Sequence, residues 1–230
     1  VEKNLYYGKL HKGYVKYVLL FLLIATVVIS LALGRYPIPV DVLVKVLFSK
    51  IWPSGTWHDT IETVVFQVRL PRVISAVLVG SALSISGAAY QGMFRNPLVS
   101  PDILGVSAGA GFGAALGIFL SLNIFGIQLM CFIMGLFAVM LTFALSSRAT
   151  RDPTVALVLV GILVGTIFTS ATSLLKYLAD PYDKLPTITF WLMGSLSSVT
   201  LQDVILALVP MIIGMVPLYL FRWRLNVLSF

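Results

Sequence analysis

The chain has 230 residues, of which 59% are hydrophobic and 11% charged, and its net charge is +7. A soluble domain carries roughly a quarter charged residues, so this composition excludes an ordinary water-soluble fold. The basic residues are spread over the segments between apolar stretches, which argues against a nucleic-acid partner. The single cysteine, Cys131, excludes a disulfide or a cysteine metal cluster within the chain.

Six apolar stretches are long enough to cross a bilayer. About twenty residues without interior charge are needed, because only a helix satisfies its own backbone hydrogen bonds in lipid. The sequence therefore predicts an all-α fold over residues 1–230, a polytopic transmembrane helix bundle forming one domain. The predicted spans are residues 17–33, 73–93, 103–122, 127–145, 154–175 and 204–221.

The first span is predicted to be a retained anchor helix, since five further spans follow it and no small-residue cleavage pattern does. Lys and Arg in short loops favour the cytoplasmic side of a membrane. With the N-terminus inside, nine basic residues lie inside and seven outside, and three of those seven fall in one long segment. Both termini are therefore expected to lie on the cytoplasmic side of the cell (inner) membrane.

Small residues recur at every fourth position in the second, third and fifth spans. Residues 80, 84, 88 and 92 form one such stripe, and residues 105, 109, 113 and 117 form another. A stripe of this kind lets two helices approach closely in a membrane. The predicted helix-packing residues are Gly80, Gly87, Gly105, Gly109, Gly113, Gly161 and Gly165.

Residues 105–109 match the Gly-x-Ser-x-Gly pattern of serine hydrolases, with Ser107 in the nucleophile position. A catalytic serine needs a histidine within hydrogen-bond reach to take its proton. His11 and His58 both fall outside the predicted spans and are expected to be solvated loop residues rather than a base or a metal site. Helix packing accounts for Ser107, and we predict no catalytic residue, no metal site and no cofactor.

The spans also lack two features of self-powered transporters. No Asp, Glu, Lys, Arg or His lies well inside any of them, whereas ion-coupled carriers usually bury one to bind the coupling ion. The Gly-x4-Gly-Lys-Ser/Thr phosphate loop is absent from the sequence. The chain is therefore predicted not to be an enzyme, and any energy source is expected on another chain.

Several separated motifs occur in a distinctive order. Arg69-Leu-Pro-Arg72 begins the second span and Arg95-Asn96-Pro97 follows it. Residues 157–161, the Trp-Leu-Met-Gly-Ser-Leu run at 191–196, and residues 225–230 continue the pattern. From about residue 40 onward the chain resembles the permease family of ATP-binding-cassette importers for iron-siderophore complexes, haem and vitamin B12 (cobalamin), the group called FecCD or BtuC-like.

The resemblance implies roles for the first two motifs. In the family, arginines of the first motif receive acidic residues of the substrate-binding protein, so Arg69 and Arg72 are the expected docking residues. Snorkelling to lipid headgroups is the simpler alternative. Arg95, Asn96 and Pro97 are expected in a cytoplasmic turn, where Pro97 stops a helix and Asn96 bonds freed backbone groups.

The family also places a gating element near residues 176–198. Trp191, Gly194 and Ser195 are therefore expected at the outer gate, on a short helix or re-entrant segment. An ordered surface cap is the alternative.

The resemblance further implies a set of partners. Two permease copies form the pathway at their interface, a substrate-binding protein delivers cargo from outside, and separate ATPase subunits drive alternating access. A metal chelate, with iron-siderophore first, is the expected cargo; haem, cobalamin and oxyanions such as molybdate stay open.

Members of the family typically have ten transmembrane helices, and this chain is expected to hold the first six. The coupling helices that grip the ATPase would follow Phe230. We therefore expect either a truncated gene or a fragment of a longer product. An ATP-independent carrier or channel, and a fragment that does not transport, remain the alternatives.

Overall fold

The computed structural model describes residues 2–49, 58–96, 100–148 and 153–224. Every regular element within these ranges is helical, which confirms the all-α prediction. The elements in chain order are α1 (Glu2–Ala32), α2 (Val40–Ser49), α3 (Asp59–Thr63), a π-helix (Val64–Arg69), α4 (Leu70–Phe94), a 3-10 helix (Pro101–Leu104), α5 (Val106–Phe119), α6 (Ile124–Ser146), α7 (Pro153–Leu178), α8 (Lys184–Met193) and α9 (Leu201–Leu220).

Five segments of the described residues are long and apolar enough to cross a membrane by length and composition. Each overlaps one of the six predicted spans, and the segment over the second span is 36 residues long. The segments are Tyr14–Ala32, Asp59–Phe94, Ile124–Ser146, Thr154–Leu178 and Leu201–Leu220.

The third predicted span, 103–122, is not one continuous helix, and that detail of the prediction is wrong. A 3-10 helix occupies Pro101–Leu104, and Gly105 then takes φ of 75°, in the left-handed region. The α-helix begins only at Val106 and has 14 residues, fewer than the roughly 20 that span a bilayer. Glycine permits this break because it has no Cβ to clash in the left-handed conformation.

The chain forms two compact units, and α4 and α9 contribute residues to both. The first unit comprises residues 1–79 and 196–209. Its core lies at the C-terminal end of α1, where α2, the π-helix and Ile38 in the connection before α2 supply the other buried side chains. The core residues are Leu31, Ala32, Ile38, Leu43, Val46 and Val65.

The second unit comprises residues 80–195 and 210–230, and α5 is its most enclosed helix. Helices α6, α7 and α8 all pack on α5. The buried residues of α5 are mostly small: Gly109, Gly113, Ala114, Ala115, Gly117 and Ile118. This short apolar helix is thus covered by protein.

Candidate functional site

Arg69 closes the π-helix and lies against the C-terminal end of α1. Its side chain is buried, at 8% exposure. Its Nη1 donates to the backbone carbonyls of Leu31 at 2.6 Å and Ala32 at 2.9 Å, and its Nη2 donates to that of Tyr36. The last carbonyls of a helix have no partner inside the helix and carry partial negative charge. Arg69 therefore caps α1 with a cation.

Arg72 lies one turn further along, in the first turn of α4, and is half-buried. Its Nη2 donates to the backbone carbonyl of Ser197. Its Nε is buried and has no hydrogen-bond partner among the described residues. The two motif arginines therefore bind different parts of the first unit, and Arg72 is the more accessible of the two.

The C-terminal end of α4 carries the second motif. Arg95 adopts φ of 50°, a left-handed conformation that residues with a Cβ seldom take. Its amide and that of Asn96 donate back to the carbonyls of Gly92 (3.3 Å) and Gln91 (3.2 Å), which satisfies orphan carbonyls of the helix end. Pro97 lies outside the described residues. The motif thus terminates a helix.

The glycines of α5 and α7 lie against neighbouring backbones. A Cβ added to Gly113 would lie 2.3 Å from the carbonyl oxygen of Met130 in α6, and one added to Gly161 would lie 2.0 Å from that of Ile103. Gly105 and Gly165 face each other, and a Cβ on Gly109 would lie 2.7 Å from Cβ of Ala138. The approaches at Gly109, Gly113 and Gly161 leave no room for a Cβ, whereas a Cβ on Gly165 would lie at an ordinary contact distance of 3.7 Å from Cα of Gly105.

Gly80 and Gly87 differ from the other predicted packing glycines. A Cβ added at either position would meet nothing within 4 Å among the described residues. The expected packing partner of this α4 stripe therefore has no counterpart in the part of the chain that the structure describes.

Helix α8 lies antiparallel to α5. Lys184 Nζ donates to the carbonyl of Phe119 at 2.6 Å, and Ile188 is fully buried in a cluster with Ala115 and Ile118. Further along, a Cβ on Gly111 would lie 3.2 Å from Leu192 Cδ2. Contacts spaced by four residues on both helices, in opposite order, define this register. A short helix, one of the two forms expected here, is present at Lys184–Met193, and its place at an outer gate stays a prediction.

The predicted gate residues lie at the C-terminal end of α8. Trp191 and Ser195 are exposed. Gly194 ends the helix with φ of 70° and ψ of 141°, a conformation that is essentially restricted to glycine. Sequence reasoning did not identify Lys184, which begins α8 at its other end and binds the carbonyl of Phe119 in α5. A basic residue at the start of a helix gave no signal of this partner.

Helix α7 carries an exposed row of hydroxyl groups in its C-terminal half. Thr166, Thr169, Ser170 and Ser173 are all exposed and recur at helical spacing. The hydroxyls of Thr166, Thr169 and Ser173 donate to carbonyls of the preceding turn. Their oxygen lone pairs stay available to accept hydrogen bonds. We call these four residues the hydroxyl row.

Ser107, the serine of the hydrolase-like pattern, donates a hydrogen bond to the carboxylate of Asp102. Both side chains are exposed at the start of α5. In the described ranges no group of three His, Cys, Asp or Glu residues is arranged to hold a metal ion.

Comparison with known proteins gives a consistent result. Residues 22–230 match the family described as the FecCD transport family. The chain is 38% identical to the molybdate import system permease protein MolB of Haemophilus influenzae, over 92% of this chain and 62% of that protein. It is 36% identical to a probable iron chelatin transport system permease protein of Helicobacter pylori, over 74% of this chain and 51% of the other.

A cobalamin import system permease protein, BtuC of Halobacterium salinarum, is 36% identical over 74% of this chain and 46% of its own. One solved structure, an inward-facing ABC transporter assigned to the metal-chelate type, superposes with a TM-score of 0.78 at 35% identity, covering 94% of this chain and 65% of that one. The chain thus spans less than two thirds of the length of these similar proteins.

Proposed function

Because the chain belongs to the FecCD transport family, we propose that it is a membrane permease subunit of an ATP-binding-cassette importer. The family is one of transport permeases and not of enzymes. The observation that carries the proposal is the match over residues 22–230, together with five membrane-capable segments and a fold shared with a solved ABC transporter at a TM-score of 0.78. In this role the chain forms the pathway, and separate ATPase subunits supply the energy.

The hydroxyl row of α7 supports an assignment of one wall of the transport pathway. Around this helix one sector is buried, including Val164 and Phe168, and a second exposes apolar side chains such as Ile167 and Leu174. The hydroxyl row occupies a third sector. Lipid suits the apolar sector, whereas acceptor oxygens suit a polar cargo or water. We assign the hydroxyl row to the pathway wall and the apolar sector to lipid.

We propose that both motif arginines serve the docking of a substrate-binding protein, each in a different way. Arg69 has its donors committed to the end of α1, so direct pairing through Arg69 would break those bonds. We assign contact with acidic residues of the binding protein to Arg72, and to Arg69 the task of holding the neighbouring backbone in place. We assign both arginines to the outer end of their helix and both chain termini to the cytoplasmic side, an orientation in which α5 crosses the membrane together with the 3-10 helix before it.

The outer-gate proposal rests on the register of α8. From Lys184 beside Phe119 to Leu192 beside Gly111, α8 runs back along α5 for eight residues, which is about 12 Å of helix rise. A helix that descends beside a membrane helix suits a re-entrant segment better than a surface cap. Trp191, Gly194 and Ser195 would then lie below the outer mouth.

The cargo proposed is a metal-containing anion or chelate. Iron-siderophore is the leading candidate within this class, because an iron chelatin permease is among the similar proteins. Molybdate is the second candidate, since the molybdate permease is 38% identical over 92% of this chain. Uptake of radiolabelled ferric siderophore and of molybdate into the same proteoliposomes distinguishes them.

Two measurements test the function: copurification with ATPase subunits, and stimulation of ATP hydrolysis by the binding protein. The chain, within its full-length product if it is part of one, is expressed with candidate ATPase subunits and reconstituted with a binding protein. We expect ATP hydrolysis to rise when loaded binding protein is added, with a second permease copy in the purified complex. Cargo flux in liposomes without an ATPase would instead identify an ATP-independent carrier, and the absence of any association would identify a fragment that does not transport.

A further inference from the structure

We propose that Lys184 is a positioning residue for the outer gate: it fixes one end of α8 to the C-terminus of α5, so that α8 moves about this end. The proposal rests on the function proposed above, and it adds a residue that the family motifs do not include. The contact lies wholly within the second unit.

The first argument is that the C-terminal carbonyls of α5 are all accounted for. The last four carbonyls of any helix lack partners in the helix itself. In α5, those of Leu116, Gly117 and Ile118 accept from the amides of Leu120, Leu122 and Ser121, each at 2.9 Å. The fourth, on Phe119, accepts from Lys184 Nζ at 2.6 Å. Lys184 therefore supplies the one donor that the turn after α5 does not.

The second argument is electrostatic. The C-terminus of a helix carries about half a negative charge, which favours a cation beside it. The Lys184 ammonium also lies 5.4 Å from the centroid of the Phe119 ring, where the ring face attracts it. Lys184 is half-buried, so water screens these interactions less than it would on an open surface.

The third argument is the contrast between the two ends of α8. Its first half is held by Lys184 and by Ile188, which is fully buried. Its last residues, from Phe190 to Met193, are exposed, although Leu192 touches α5 beside Gly111, and the helix ends at Gly194 in a conformation restricted to glycine. A rigid helix fixed at one end turns about that end. The half that carries Trp191 is therefore the half that opens or closes the mouth.

The test is hydrogen exchange of α8 amides in lipid nanodiscs, comparing wild type with Lys184→Met, which keeps the aliphatic stem but removes the donor and charge. We expect α8 amides to exchange about tenfold faster in Lys184→Met, the effect of losing one charge-assisted hydrogen bond. Lys184→Arg, which restores a donor and a charge, should return exchange to near the wild-type rate. Lys176→Met is the matched control: it removes a charge from the last turn of α7 and should leave α8 unchanged.

Peptides of α6 report whether the variant is folded, and they should exchange as in wild type. Unchanged hydrogen exchange of α8 in Lys184→Met would overturn the proposal that Lys184 fixes α8 to α5. A second measurement, cargo taken up per ATP hydrolysed in the reconstituted importer, tests the positioning role: we expect hydrolysis to continue in Lys184→Met with loss of cargo accumulation. Normal coupling in that variant would overturn the link to the gate.

Failure of the proposed function gives a different pattern. Wild-type protein would then show no hydrolysis stimulated by the binding protein, whereas the exchange comparison needs neither ATPase nor cargo. If α8 exchanges faster in Lys184→Met but the wild type does not transport, Lys184 still fixes α8 to α5, and the proposal that α8 is a gate is rejected.

Discussion

The guanidinium of Arg69 donates a 2.6 Å hydrogen bond to the carbonyl oxygen of Leu31, 38 residues earlier in the chain. The same side chain binds the carbonyls of Ala32 and Tyr36. Gly34, between them, gives the guanidinium room: a Cβ there would lie 2.7 Å from Nη2. One cation therefore ends α1, orders the chain that leaves it and joins both to the π-helix.

Arg69→Ala should destabilise the first unit. The variant removes one donor from each of three carbonyls, of which that of Ala32 keeps the Ile38 amide at 3.2 Å, and it leaves a void in a buried site. We expect the free energy of unfolding to fall by about 2–4 kcal/mol. The measurement is unfolding in mixed detergent micelles. Arg35→Ala removes an exposed arginine just after α1 and is the control, with little change expected. Equal stability of the two variants would contradict the capping role.

Gly161→Ala should disrupt the packing of α7 against the 3-10 helix. The new Cβ would lie 2.0 Å from the Ile103 oxygen, so the backbones must separate, at about 1–3 kcal/mol of unfolding free energy. Gly80→Ala is the matched control, because a Cβ there meets nothing within 4 Å and alanine is favoured in a helix by about 1 kcal/mol. Opposite signs are expected in the same unfolding assay; a loss in Gly80→Ala equal to that in Gly161→Ala would refute the packing argument.

Arg72→Glu should weaken docking of the substrate-binding protein. Reversing the charge turns attraction to acidic residues into repulsion, and the loss of affinity should be greatest at low salt, where screening is weakest. Affinity is measured by surface plasmon resonance on the reconstituted importer. Arg35→Glu makes the same change at an exposed site outside the motif. If Arg72→Glu binds as wild type does at low salt, the docking role is wrong.

Cysteine substitution along α7 should separate the hydroxyl row from the lipid sector. In a Cys131→Ala background, cysteines at Ser170 and Ser173 should react with a membrane-impermeant thiol reagent, because the pathway wall meets water. Cysteines at Ile167 and Leu174, which are also exposed on the same helix, should react slowly in lipid. Similar rates at all four positions would remove the distinction between the sectors.

The long helices could be predicted from the sequence because their signal is composition, and each apolar segment carries it independently. The third span could not be, since Gly105 is one small residue among several and only the structure shows that it breaks the helix. The small-residue pattern predicts a smooth helix face but not what lies on it. At Gly113 in α5 and Gly161 in α7 such a face lies against neighbouring backbone. At Gly80 in α4, an added Cβ would meet no described atom within 4 Å.

The arginine motif illustrates a second limit. Spacing places Arg69 and Arg72 near each other on the helix, and from this they look equivalent. Their partners come from distant segments, Leu31 and Ser197, which no local pattern reveals. Lys184 was missed for the same reason, because its partner is a main-chain carbonyl 65 residues away.

The brevity of α5 has a consequence for biosynthesis. Its 14 residues rise about 21 Å, so a nascent chain presenting α5 alone to the translocon would offer a weak signal for lateral release into the bilayer. Residues 120–123 connect it to α6, whose 23 residues are ample. The two are therefore expected to integrate together as a helical hairpin, with α6 securing the partition of both.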